Sequence, residues 1–384
     1  MSAPLSPVLE QLGTYPFVRL EQAKREAASR GLEVLDFGVG DPREVAPPAV
    51  REALAASLAQ PSGYPLAHGL PEWRAAVAAW CDRRFGVTLD PDKELIPTLG
   101  SKEAIFSLAP VLVTRGGERD TVVVTDPGYP VPERGALVAG ARLLRLPLLE
   151  ANAFLPDLDA IDETDWARIA LFWVNYPNNP TGVTAPPAFF ERLGELARRH
   201  GFVLASDEAY TELWFDEPPH SALELSERGN LLVFNSLSKR SSMTGYRSGF
   251  VAGDPVLIEA LRAFRPNAGT APQEFVQRAA IAAWGDEEHV EAARDRYREK
   301  RELFLGLLAR KRLEVVGSRA TMYLWIRVPE GAGSERFATR LLEHGVVVSP
   351  GAYFGEAGEG YFRIALVPPL ETCRRAAQIL DEVL

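Results

Sequence analysis

The chain has 384 residues, a formal net charge of −10, and 46% apolar against 24% charged residues, the balance of a globular protein with room for roughly two to three domains. The acidic excess leaves no basic footprint for nucleic acid or anionic lipid, and no apolar stretch approaches the length of a membrane span. Two distant cysteines (Cys81 and Cys373), five scattered histidines and an N-terminal MSAPLSPVLEQLG without a basic-then-apolar pattern argue against a disulfide framework, a metal site and a signal peptide, and fit a reducing, cytoplasmic setting.

In chain order, Phe37–Pro42 (FGVGDP) comes first. Gly38-Val-Gly40 there begins a dinucleotide fingerprint, but Arg43 stands where the third glycine belongs, which defeats that reading. SGYPLAHGLPEWR carries Tyr64, and Leu99-Gly-Ser-Lys-Glu-Ala104 is a glycine turn opening a helix. Short apolar runs at 121–125, 169–174, 202–206, 230–234 and 248–252 are rich in β-branched and aromatic residues and read as strands. Between them, Pro186–His200 has proline in its first turn, apolar residues at helical spacing and Gly201 past its end, the marks of a helix. Continuous apolar strands separated by helices predict an α/β fold with a mostly parallel sheet sandwiched by helices. Residues 287–313 predict one long charged amphipathic helix, followed by strands at 323–328 and 361–366 and two helices. The division expected is a large domain at 45–285 and a smaller α+β domain from 1–44 plus 286–384.

Ligands in open α/β sheets sit outside the carboxyl ends of the strands. The residues just past each strand are therefore informative. After 121–125 comes Asp126-Pro-Gly-Tyr129, after 169–174 comes Asn175-Tyr-Pro-Asn-Asn179-Pro-Thr-Gly182, after 202–206 comes Asp207-Glu-Ala-Tyr210, and after 230–234 comes Asn235-Ser236-Leu-Ser238-Lys239. Singly, each has a plain explanation: a surface lysine, a helix N-cap at Asp207, a turn at Asn179-Pro-Thr-Gly, packing tyrosines. Arg363, inside the apolar run YFRIAL, is harder to dismiss, since an unpaired arginine in a buried strand is costly. Together the groups have a chemistry. A lysine desolvated in a crevice becomes a nucleophile toward carbonyls. Serine hydroxyls beside an arginine and a helix start suit a phosphate, and a buried carboxylate suits a protonated ring nitrogen. Aldehyde, phosphate and pyridine on one molecule describe pyridoxal 5'-phosphate.

The ordered set NNPTG, SDEAY, SLSKRSSMTGYRSGF and YFRIAL resembles the class I/II aminotransferases, pyridoxal-phosphate enzymes of fold type I, over essentially the whole chain. The resemblance implies that Lys239 bonds the cofactor aldehyde and later carries the proton, that Asp207 pairs with the ring nitrogen, and that Tyr210 and Asn179 bond the ring hydroxyl. It implies that Ser101, Lys102, Ser236, Ser238 and Arg247 hold the phosphate, that Tyr129 stacks on the ring, and that Arg363 grips the substrate α-carboxylate with Asn175 and Gly40 beside it. Tyr64 would reach the phosphate across the interface of a homodimer with shared active sites.

Within the family, KRSSMTGYRSGF, LGSKEAIFSL and the Pro16-Phe-Val-Arg-Leu20 opening are most similar to the bacterial N-succinyldiaminopimelate aminotransferases of lysine synthesis, with 2-oxoglutarate as acceptor. Aspartate- or alanine-type aminotransferases and C–S lyases share the same residues and stay open as alternatives. Arg19, Arg240 and Arg265 are the candidates for a distal substrate carboxylate. Ser236-Leu-Ser-Lys239 also fits the S-x-x-K motif of penicillin-binding enzymes, but the companion S-D-N and K-T-G are missing. A non-catalytic pyridoxal-phosphate-binding regulator is disfavoured by the acidic charge and by the absence of an added DNA-binding module.

Overall fold

The structure is a computed structural model that describes residues 5–59, 61 and 63–384. Thirteen strands are assigned among these: β1 (Leu35–Asp36), β2 (Leu95–Thr98), β3 (Thr121–Asp126), β4 (Arg142–Pro147), β5 (Ile169–Asn175), β6 (Val203–Asp207), β7 (Leu231–Ser236), β8 (Gly249–Gly253), β9 (Val315–Val316), β10 (Tyr323–Arg327), β11 (Val346–Val347), β12 (Ser349–Pro350) and β13 (Tyr361–Ala365).

Seven of them form one sheet in the order β2-β8-β7-β6-β5-β3-β4. The pairs β3/β4, β3/β5, β5/β6 and β6/β7 are parallel. β8 alone runs against its neighbours β7 and β2, so the run at 248–252 is a strand as expected but of reversed direction. The sheet is buried on both faces, which explains the continuous apolar runs. Along β5, Ile169, Phe172 and Val174 enter the apolar cluster on one face, and Leu171 and Trp173 enter the cluster on the other. The helix Pro187–His200 covers the first face with Phe189, Phe190, Leu193 and Ala197, and ends at Gly201 in the left-handed region. Its last turn carries Arg198, Arg199 and His200, which complement the negative end of the helix dipole.

The second apolar cluster belongs to a smaller unit. β12, β13, β10 and β9 form an antiparallel sheet. β1 pairs with β11, which joins the N-terminal segment to the C-terminal one. The helix Glu288–Arg310 buries Tyr297, Phe304, Leu307 and Leu308 against this unit. After β1 the chain runs without a helix to Pro48, so Gly38-Val-Gly40 does not open the strand–turn–helix of a dinucleotide site. Among the described residues, no helix is long and apolar enough to cross a membrane.

Candidate active site

The strand directions fix where the chemistry gathers. β2, β3, β5, β6 and β7 all point the same way, so their carboxyl ends meet one cavity of about 370 Å³. Its wall brings together Gly40, Ser101, Lys102, Tyr129, Asn175, Asn179, Asp207, Tyr210, Ser236, Ser238, Lys239, Arg247 and Arg363, every residue expected at the cofactor and the α-carboxylate except Tyr64.

Asn175 and Asp207 are register partners at the ends of β5 and β6. The Asn175 amide donates to the Asp207 carbonyl (2.8 Å) and accepts from the Asn179 N–H (2.9 Å), so it is committed to holding the two loops. The Asp207 carboxylate is buried, and its hydrogen-bond donor is the Ala209 N–H at 3.4 Å. Burial pushes its pKa up to about 7, with the Ala209 N–H and the charge of Lys239 pulling back. The Lys239 ammonium donates to the Gly40 carbonyl. Desolvation lowers its pKa to about 8; Arg363 and Arg247 push the same way, and Asp41 and Asp207 oppose. A buried carboxyl lacking a strong donor thus faces an amine that sheds its proton easily.

A polar cup lies on one side of this pair. The Ser236 hydroxyl bonds that of Ser238 (2.9 Å) and the Ser248 carbonyl (3.1 Å). Arg247 is fixed by donating to the carbonyls of Thr244 (2.8 Å) and Leu99 (2.9 Å). The helix Ser101–Leu112 starts here with Gly100 as N-cap and no side-chain cap, leaving first-turn N–H groups available. Gly100 has φ +69°, and a Cβ there would lie 2.5 Å from the Arg247 guanidinium.

Arg363 lines the cavity from β13. It is buried, donates to the Asn179 side-chain oxygen (2.7 Å) and the Gly38 carbonyl (2.6 Å), and its Nε–H has no partner among the described residues. The guanidinium carbon stands 4.1 Å from the Tyr323 ring centre and 4.6 Å from that of Phe354. The Tyr323 hydroxyl bonds that of Tyr210 at 2.9 Å and sits so close to Gly40 that a Cβ there would approach within 2.0 Å.

The three candidate distal arginines fail. Arg240 is buried away from the cavity, donating to the Ala283 carbonyl (2.6 Å) and Glu287 (2.7 Å) and stacked near Trp80 and Trp284. Arg265 is buried against the Pro97 carbonyl and Glu103. Arg19 is exposed and does not line the cavity. Tyr64 is 101% exposed and does not line this chain's own cavity either. Conversely, Tyr15, Phe17, Asp41, Thr244 and Tyr323 line the cavity without having been singled out as site residues. Lys102 is exposed at the mouth, with its ammonium 5.1 Å from the Tyr15 ring centre. Desolvation and the nearby Arg247 and Arg134 lower its pKa.

The donor set fits pyridoxal phosphate. The uncapped helix start with Ser101, Ser236, Ser238 and Arg247 suits the phosphate. The buried Asp207, with one long backbone N–H contact and Lys239 nearby, suits a protonated ring nitrogen, and Lys239, its pKa lowered by burial, suits an aldehyde.

Comparison with known proteins agrees. The aminotransferase class I and II family matches residues 33–380. An LL-diaminopimelate aminotransferase of Aquifex aeolicus is 42% identical over 96% of both chains. The crystal structure of an aminotransferase from Neisseria meningitidis superposes with a TM-score of 0.91 at 36% identity, covering 99% of this chain and 100% of that one. A probable N-succinyldiaminopimelate aminotransferase from Thermus thermophilus gives 0.89 at 34% identity, covering 96% and 100%. The chain belongs to the class I and II aminotransferases, enzymes of fold type I that work with pyridoxal 5'-phosphate.

Proposed function

We propose that this aminotransferase takes its amino group from LL-diaminopimelate and passes it to 2-oxoglutarate, a reaction of lysine and diaminopimelate metabolism. The observation that carries a dicarboxylic donor is the pairing of two cationic positions in one cavity. Arg363 stands buried in the wall, and Lys102, expected from the sequence at the cofactor phosphate, is read here instead as the exposed cation for the donor's distal carboxylate, with no acidic partner among the described residues. A donor with a carboxylate at each end satisfies both. The name of the 42% identical relative supports the unmodified diaminopimelate. The succinylated donor expected from the sequence is the second reading, supported by the 34% identical Thermus structure.

In this reading Lys239 is the residue that bonds the cofactor. Asp207 would pair with the ring nitrogen, Asn179 and Tyr210 would bond the ring hydroxyl, Tyr129 would stack on the ring, and Ser101, Ser236, Ser238, Arg247 and the helix N–H groups would hold the phosphate. When bound, pyridoxal phosphate withdraws electrons from the substrate α-carbon and so lowers the cost of losing its proton. The chain's part is to place that proton. Once the incoming amine has displaced it from the cofactor, the Lys239 amine, whose pKa burial lowers to about 8 in the protein alone, would accept the proton at Nζ and return it. Arg363, preset by Asn179 and Gly38, orients the α-carboxylate.

The same reading sets the large domain at 45–285 and the small one at 1–44 plus 286–384, with the cavity where they meet. It also makes the enzyme a homodimer in which Tyr64, fully exposed on its own chain, completes the phosphate site of the partner. The test of the substrate is a comparison of glutamate formation from 2-oxoglutarate with LL-diaminopimelate, N-succinyl-LL-diaminopimelate, aspartate and alanine as donors. LL-diaminopimelate is expected to give the highest kcat/KM. A higher value for the succinylated donor installs the second reading, and a higher value for aspartate or alanine removes both. Pyruvate and ammonia released from cystathionine, without glutamate, mark a C–S lyase.

A further inference from the structure

We infer that Arg265 is a positioning residue for the cofactor phosphate, acting through Glu103 and Leu99 without touching the ligand; this rests on the reading that the Leu99–Lys102 turn holds that phosphate. Arg265 is 1% exposed and follows the helix Pro255–Phe264, outside the cavity. One end of its guanidinium donates to the Pro97 carbonyl (2.5 Å), on β2, and the other to Glu103 (2.5 Å). The same Glu103 oxygen accepts the Leu99 N–H at 3.1 Å, while the Leu99 carbonyl accepts from Arg247 at 2.9 Å. The peptide groups of Leu99 are therefore pinned on both sides, by Glu103 on the N–H and by Arg247 on the carbonyl. The turn so held carries the left-handed Gly100 and the uncapped N–H groups of the helix.

The physical need for Arg265 arises from Glu103. That carboxylate stands in the first turn of the helix and is 19% exposed. It satisfies the Leu99 N–H, which leaves the following N–H groups to a ligand. Unpaired, it would be a partly desolvated negative charge beside the place where a dianionic phosphate binds, and it would repel that ligand. Arg265 neutralises it, and by also holding Pro97 it fixes the angle at which β2 delivers the turn. A bidentate guanidinium bridges two acceptors in this way, and an ammonium does not.

The test uses two ligands that differ only in the phosphate. Dissociation constants of pyridoxal 5'-phosphate and of pyridoxal are measured by spectroscopic titration of the apo-forms of the wild type, Arg265→Met, Arg265→Lys and Arg247→Ala. Loss of a charged hydrogen bond that orders the turn weakens pyridoxal phosphate about tenfold to a hundredfold in Arg265→Met. Pyridoxal binding stays unchanged, and Arg265→Lys falls between the wild type and Arg265→Met. Equal weakening of both ligands reduces Arg265 to a general structural role and overturns the inference, as does no weakening of either. If Arg265→Met does not fold, Arg265→Lys decides alone, because a phosphate-specific loss is still required of it. Should Arg247→Ala also bind both ligands as the wild type does, the phosphate does not sit in this cup and the underlying reading fails. A phosphate-specific loss in Arg247→Ala without one in the Arg265 variants refutes the inference alone.

Discussion

Arg363→Lys is the most demanding mutation of the substrate site. Arginine has five N–H donors; two are committed to Asn179 at 2.7 Å and Gly38 at 2.6 Å, and the Nε–H has no partner among the described residues. The group is thus already oriented, with donors left over, and is stacked 4.1 Å from Tyr323 and 4.6 Å from Phe354. A lysine ammonium cannot hold both anchors and still offer a planar fork, and it loses the stacking. Breaking a buried charged contact of this kind costs about 2–5 kcal/mol, a fall of roughly thirtyfold to several-thousandfold in kcat/KM. Donor and acceptor both carry the α-carboxylate, so both half-reactions must fall. The assay is stopped-flow single turnover of each half-reaction, with the dissociation constant for pyridoxal phosphate measured beside it. The reasoning is refuted if only one half-reaction slows, or if cofactor affinity drops in parallel with rate.

The other predictions concern the charges and the interface. In the apo-protein, Asp207 keeps its proton up to about pH 7 against an ordinary 3.8. Between those values the folded state binds more protons than the unfolded one, so Asp207 makes stability fall as pH rises; Asp207→Asn removes this slope, has an unfolding free energy at pH 8 higher than that of wild-type apo-protein by on the order of a few kcal/mol in a denaturant series, and binds pyridoxal phosphate more weakly. Lys239 has the opposite sign: between about 8 and 10.5 the unfolded state binds the extra proton, so Lys239 makes apo stability rise with pH in that window, and Lys239→Met abolishes the rise in a denaturant series. For the shared site, equal amounts of Tyr64→Ala and Lys239→Ala chains, unfolded and refolded together, regain activity because one site of the mixed dimer holds Lys239 of one chain and Tyr64 of the other. No recovery would mean that Tyr64 does not serve a partner.

Much of this site was legible because its residues close strands. Asn175, Asp207 and Ser236 are the last residues of β5, β6 and β7, one or two positions beyond the apolar runs that marked those strands. Apolar pattern stops where the polar site begins, so boundaries were placed short for the same reason the site was found. β4 was missed because RLLRLP lies at the sheet edge with both arginines exposed, and β2 because four residues interrupted by Pro97 give too short a pattern. Direction is not encoded in pattern either, so β8 was read without its reversal. Tyr15, Asp41 and Tyr323 reach the cavity from the N-terminal segment and from β10, by long-range packing that no local spacing announces. Arg240 and Arg265 show the converse limit: their charge was visible, but burial against Glu287 and Glu103 depends on where distant helices pack.

The central claim is that Lys239 carries the cofactor, and borohydride reduction of the holoenzyme followed by peptide mass mapping tests it most directly. The account predicts a single phosphopyridoxyl adduct on the peptide containing Lys239, with loss of the yellow absorption band. An adduct on Lys102 or another lysine, with Lys239 unmodified, would contradict it.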